Sequence, residues 1–146
     1  MQSKLLRQEG EARTFLLVLD PGEEVISALK DFAARNNLQG AHFQAIGAFQ
    51  RITLAYFQRE QKSYREIPVN EQVEAAALSG NLSRRGEEVV IHAHAVVSRA
   101  DGTTLGGHIL EGVVWPTLEI VLQDRGLKLE RTLREEIGLA LLTLDA

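Results

Sequence analysis

Cysteine is absent from this 146-residue chain, so no disulfide can staple it and no thiolate can bind a metal. Long apolar runs are absent too: none approaches the roughly 20 residues that a membrane-spanning helix needs. The opening stretch, MQSKLLRQEGEAR, is too polar for the apolar segment of a secretory signal. A cytoplasmic location is therefore expected, with no membrane partner, and residues 1–11 are expected to be loosely ordered. Basic runs are also missing. SRRG at Ser83 to Gly86 is the longest, and 16 Lys and Arg stand against 20 Asp and Glu for a net charge of −4. Duplex DNA binding draws most of its affinity from cations set against phosphates. The acidic balance argues against DNA as a partner. GAFQ and LGGH lack the glycine spacing of a phosphate loop. Ser79 and Ser83 have no nearby His–Asp arrangement, which leaves nucleophilic catalysis without support.

What remains is an ordinary globular composition, 45% apolar and 25% charged, of a length that suits one domain over residues 1–146. ARTFLLVLD (Ala12 to Asp20) reads as a strand. DPGEEVISALKDFAARNN then carries a helix-start signal, with Asp20 as cap, Pro21 at the first helical position and Glu23 three residues after the cap. Val25, Ile26, Leu29, Phe32 and Ala33 recur at helical spacing, and Asn36 and Asn37 suit the exit. Further strands are read at 40–49, 51–57, 64–67, 72–83, on both sides of a turn near Gly102, at 116–124 and at 127–133. About seven strands and one helix give an α+β domain, the helix packed on one face of a mostly antiparallel sheet. AHFQAIGAF and VEAAALSG are short of charge on both faces, as an oligomer interface would require.

IHAHAVVSRADGTTLGGHILEG, from Ile91 to Gly112, holds three of the four histidines. His92 and His94 are two apart on a strand and share a face. The direction of His108 depends on the turn. A three-residue loop, Ala100-Asp101-Gly102 with Gly102 left-handed, pairs Arg99 with Thr103 and sets His94 opposite His108. A two-residue loop, Asp101-Gly102, shifts the register by one and sends His108 to the far face. Apolar patterning favours the first, because Ile91, Ala93, Ala95, Val97, Leu105 and Ile109 then share one side. Three imidazoles without a thiolate match a site with three protein ligands and one open position, for which zinc is the expected ion. Imidazole also suits iron, copper, nickel and cobalt. Gly106 and Gly107 fit a close backbone approach or a bulge beside His108.

These segments resemble the plants-and-prokaryotes conserved (PPC) domain. The resemblance is carried over nearly the whole chain by PGEEVISALKDFAARNNLQGAHFQAIGAF, LAYF, VEAAALSGNLS, the histidine segment and PTLEIVL. Leu-Ser-Gly at Leu78 to Gly80, His-x-His and Gly-Gly-His in that order are its most specific part. The resemblance implies a homotrimer and, for prokaryotic members, a metal held by the residues that are His92, His94 and His108 here. It also implies the family's DNA-binding label. The sequence departs from the plant pattern in having no Arg-Gly-Arg-Pro hook and in keeping the last histidine.

Glu74 and Glu119 are candidates for a general base or for a carboxylate that orients a histidine. Glu111 is a weaker candidate, because parity points it away from the histidines. His42 shares a strand face with Gln44 and Ile46 and reads as structural rather than as a fourth ligand. Trp115 is assigned to the edge of the core or to a subunit contact. The expected function is a metal-binding homotrimer whose open site takes a small anionic or carbonyl-bearing ligand. A DNA-bound regulator and a structural trimer with a closed metal site are the alternatives.

Overall fold

The computed structural model describes residues 1–144. Nine strands and one helix follow in the order β1 (Gln2–Glu9), β2 (Ala12–Leu19), α1 (Val25–Arg35), β3 (Ala41–Gln58), β4 (Ser63–Val69), β5 (Val73–Arg85), β6 (Glu88–Ser98), β7 (Thr104–Asp124), β8 (Glu130–Arg134) and β9 (Leu139–Thr143). The sheet is antiparallel throughout except where Arg84 of β5 pairs in parallel with Glu130 of β8. A mostly antiparallel sheet with one helix is thus present.

Two long strands organise it. The segments read separately as 40–49 and 51–57 are one strand, β3, and the histidine-bearing strand after the turn runs on through Pro116 as β7. Bulges make this continuity feasible: the β3–β7 register shifts between Gly47 and Phe49, and again between Phe49 and Arg51. Pro116 falls opposite the first shift, where its missing N–H removes no ladder bond. Strand β6 pairs with β5 on one side and with the start of β7 on the other. With β3 joining β5 and β7, these four strands close into a ring.

Alternation along the ring decides which side is wet. Phe43, Ala45, Leu54, Ala93, Ala95, Val97 and Ile109 point inward and are buried together with Val25, Leu29 and Phe32 of α1. Phe15 and Phe32 meet edge to face at 5.1 Å, pinning the helix to β2. The histidines of β6 occupy the intervening positions, so they face away from the helix and the core.

Three sequence expectations change. Asp20 does not cap α1; Glu24 does, its carboxylate accepting from the backbone N–H of Ile26 and Ser27. The reason is tertiary. Gly22 and Glu23 exchange backbone hydrogen bonds with Val114, which extends the chain there and delays the helix to Val25. Residues 2–9 form β1 on the outer edge of β2, rather than a loosely ordered segment. The C-terminal segment 127–133 begins its strand only at Glu130 and is followed by β9.

Candidate metal centre

The hairpin between β6 and β7 has the three-residue loop. Gly102 is left-handed at φ 82°, Arg99 N–H donates to Thr103 O at 2.9 Å, and His94 lies directly opposite His108. The Asp101 carboxylate locks the loop by accepting from both the backbone N–H and the hydroxyl of Thr103. The three rings therefore converge. Their centroids are 5.1 Å apart for His92 and His94, 5.3 Å for His92 and His108, and 5.5 Å for His94 and His108. One nitrogen from each lies within 4.8 Å of the other two. Three nitrogens at bonding distance from one tetrahedral ion would be ~3.3 Å apart, so at most about 1.5 Å of closing movement brings them to that geometry.

Two observations test whether the residues suit a cation. His108 Nδ1 is buried and has no hydrogen-bond partner, a costly condition for an imidazole nitrogen unless something else meets it. The ring is also held neutral, the form that can ligate: burial, then the neighbouring His92, His94 and Arg131, push His108 down to about 4. His92 is lowered for the same reasons, with burial first and Arg131 second. Among the described residues this three-histidine group includes no carboxylate. It could hold a metal.

Strand β5 supplies the next neighbours, since Asn81 pairs with His92 and Ser79 with His94. From β4, Tyr64 stacks on His108 with centroids 4.6 Å apart and is itself met edge-on by Phe57. Burial raises the Tyr64 phenol, with Arg131 partly opposing, so the hydroxyl stays protonated. Arg131 of β8 is 7% exposed. Its guanidinium donates to Asn81 Oδ1 at 2.9 Å, Ser83 Oγ at 2.7 Å and the Ala140 carbonyl at 2.9 Å, and none of these is a carboxylate. Sequence reasoning missed Tyr64, Asn81 and Arg131.

The carboxylate candidates do not assemble. Glu74 pairs with Ser98, four residues or about 13 Å along β6 from His94. Glu119 pairs with Ile46 and Val18, eleven residues along β7 from His108. Neither belongs to the group that could share an ion within one chain. A register shift beside Leu54 re-aims Glu111, whose carboxylate accepts from the Thr53 hydroxyl at 3.2 Å. His42 pairs with Asn81 and lines a shallow recess of about 360 Å³ with Gln44, Ser79, Asn81, His92 and His94. It is outside the group that could share an ion. Trp115 is exposed.

The chain matches the family model described as the Plants and Prokaryotes Conserved (PCC) domain over residues 6–125. A solved PPC protein of Pyrococcus horikoshii is 32% identical, with TM-score 0.85 over 99% of this chain and 96% of its own. A metal-containing protein of Archaeoglobus fulgidus is 31% identical, with TM-score 0.82 over 90% and 93%. A Bacteroides thetaiotaomicron structure described as a candidate DNA-binding protein is 27% identical, with TM-score 0.86 over 97% and 96%. A curated relative, the bifunctional protein GlmU of Synechococcus, is 34% identical over 117 residues. Those residues are 79% of this chain but 18% of that protein, so the chain spans less than a fifth of its length.

Proposed function

Because the chain belongs to the Plants and Prokaryotes Conserved domain family, we propose that it is a metal-binding, cytoplasmic homotrimer. In this reading His92, His94 and His108 hold a divalent ion, zinc, and leave a coordination position open for a small ligand. The observation that carries it is the convergence of the three rings, with a nitrogen of His108, Nδ1, buried and unpartnered. A donor set of imidazoles alone suits zinc with three protein ligands and an open fourth position. The Archaeoglobus neighbour, described as metal-containing, supports the same reading. When bound, such an ion supplies Lewis acidity to a ligand oxygen.

The chain's own residues then have definite tasks. Tyr64 stacks on His108 and fixes its plane. Arg131 holds the Asn81 amide beside His92 and places a positive charge near the cluster without a carboxylate to cancel it. That uncancelled charge favours a ligand with an anionic or carbonyl oxygen. The trimer is supported by the outer sheet face, where the diagonal neighbours Ile46 and Val121 are 62% and 42% exposed. Contiguous apolar side chains of this kind mark contact surfaces. DNA binding, the description given to the Bacteroides neighbour, gains no support from a net charge of −4.

The test is metal content after tag-free purification, for wild type and for His92→Ala and His108→Ala. About one ion per chain in wild type, lost in both variants, is expected. Substoichiometric metal that neither substitution changes would refute the reading.

A further inference from the structure

Beside His94 and His108 lies a second recess, of about 640 Å³, within the usual range for a small-molecule pocket. Its walls are Ala55, Phe57, Tyr64, Ala77, Val96 and Gly106, so it is mostly apolar. The cut that makes it is a cross-strand row. Ala77 of β5 pairs with Val96 of β6, and Val96 pairs with Gly106 of β7. This row runs next to the one that holds His94 and His108, and its side chains shrink to nothing at Gly106.

The fold does not require glycine at 106. Its φ is not in the left-handed region. A Cβ there would meet only the Ala95 carbonyl at 3.4 Å and Val96 Cγ2 at 3.6 Å, which are ordinary contacts. Gly107, by contrast, has the Ala55 carbonyl at 2.8 Å from where its Cβ would stand, and Gly80 has Phe43 at 2.5 Å. Glycine inside a strand is unfavourable unless a bulge, a bend or a closely approaching ligand explains it. At Gly106 the pairing is regular on the β6 side. The remaining explanation is space kept open in front of the two histidines.

We infer that this recess selects a ligand whose metal-binding head carries a compact apolar group, with Gly106 and Ala77 as the specificity-determining positions. The inference rests on the metal-site reading above, and the experiment separates the two. The full chain, in its native assembly, is loaded with cobalt(II). The visible cobalt bands are then titrated with acetohydroxamate and with benzohydroxamate, two probes that share a head and differ in the apolar part. Benzohydroxamate should bind about tenfold tighter or better, as a filled apolar pocket implies. Gly106→Leu should abolish that preference, leave acetohydroxamate within about threefold, and melt no lower than wild type. Ala77→Leu, on the opposite wall and on an exposed position, should do the same should Gly106→Leu misfold. Equal binding of the two probes in wild type would overturn the inference, as would a preference that survives both substitutions. Failure of cobalt to bind, or of acetohydroxamate to perturb its bands, would instead sink the metal reading beneath it.

Discussion

The same substitution at two glycines of this ring should shift stability in opposite directions. Gly80 sits under the histidine strand: a Cβ added there would stand 2.5 Å from Phe43 Cζ, 2.6 Å from the His92 carbonyl oxygen and 2.9 Å from Ala93 Cβ. None of the three can retreat cheaply. Phe43 is fully buried in the core, and the other two belong to β6, where Ala93 pairs with Gly80 itself and His92 with Asn81, so moving them breaks the β5–β6 ladder. Overpacking of this kind costs about 1–3 kcal/mol, against which removing glycine's freedom in the unfolded chain returns about 0.4–1 kcal/mol. Gly80→Ala should therefore destabilise by ~1–2 kcal/mol, or roughly 2–8 °C in Tm for a chain of this size. At Gly106 the overpacking cost is missing, because the nearest atoms lie at 3.4 Å and 3.6 Å. Only the unfolded-state gain remains, and Gly106→Ala should raise Tm by about 1–4 °C. Melts should be run on chelated protein at one protomer concentration, since metal and assembly both displace Tm by mass action. Displacing the His92 backbone should also weaken metal retention in Gly80→Ala but not in Gly106→Ala. Equal Tm values for Gly80→Ala and wild type, or shifts of the same sign in both variants, would refute this steric reasoning.

The remaining expectations concern protons and assembly. In metal-free protein His108 is held near 4, while the unfolded chain titrates near 6.5, so the unfolded state binds more protons between those values. Stability from this residue is complete above about pH 6.5 and is lost as pH falls through about 4; chelated wild type should show that decline in thermal melts and His108→Gln should flatten it. Metal retention should fall over the same acid range, because protonated imidazole cannot ligate, and dialysis at stepped pH followed by elemental analysis would show it. For assembly, light scattering should give three times the chain mass for wild type and a lower mass for Ile46→Glu combined with Val121→Glu, whose positions are diagonal neighbours on β3 and β7. An unchanged mass in that double variant would remove this face from the interface.

Which parts of the centre could be read from the sequence follows from how far apart its residues are along the chain. The histidine hairpin was legible because its constraints are local. A glycine-ended loop fixes the register, and the alternation of Ala93, Ala95 and Val97 with His92, His94 and Val96 fixes the face. Tyr64 was not legible, because it reaches His108 only through β4 folding onto β3 with Tyr64 opposite Phe57, and then through β3 pairing with β7. Arg131 is more distant still. It comes from a strand attached to β5 by a single parallel pair, and its burial depends on acceptors at Asn81, Ser83 and Ala140 that no periodicity announces. Long-range pairing also explains the errors. It drew residues 22–24 to β7 and so displaced the helix start, and it recruited an all-exposed polar segment as β1, where no alternation could signal a strand. The glutamates failed for a related reason. Glu74 and Glu119 were near the motif in sequence terms, but bulges in β3 and β5 and the great length of β7 carry them along or around the sheet. Local pattern therefore sets the three histidines, while tertiary pairing sets what surrounds them. In the proposed metal site, ligand choice should then follow those surroundings, Tyr64, Arg131 and the space before Gly106.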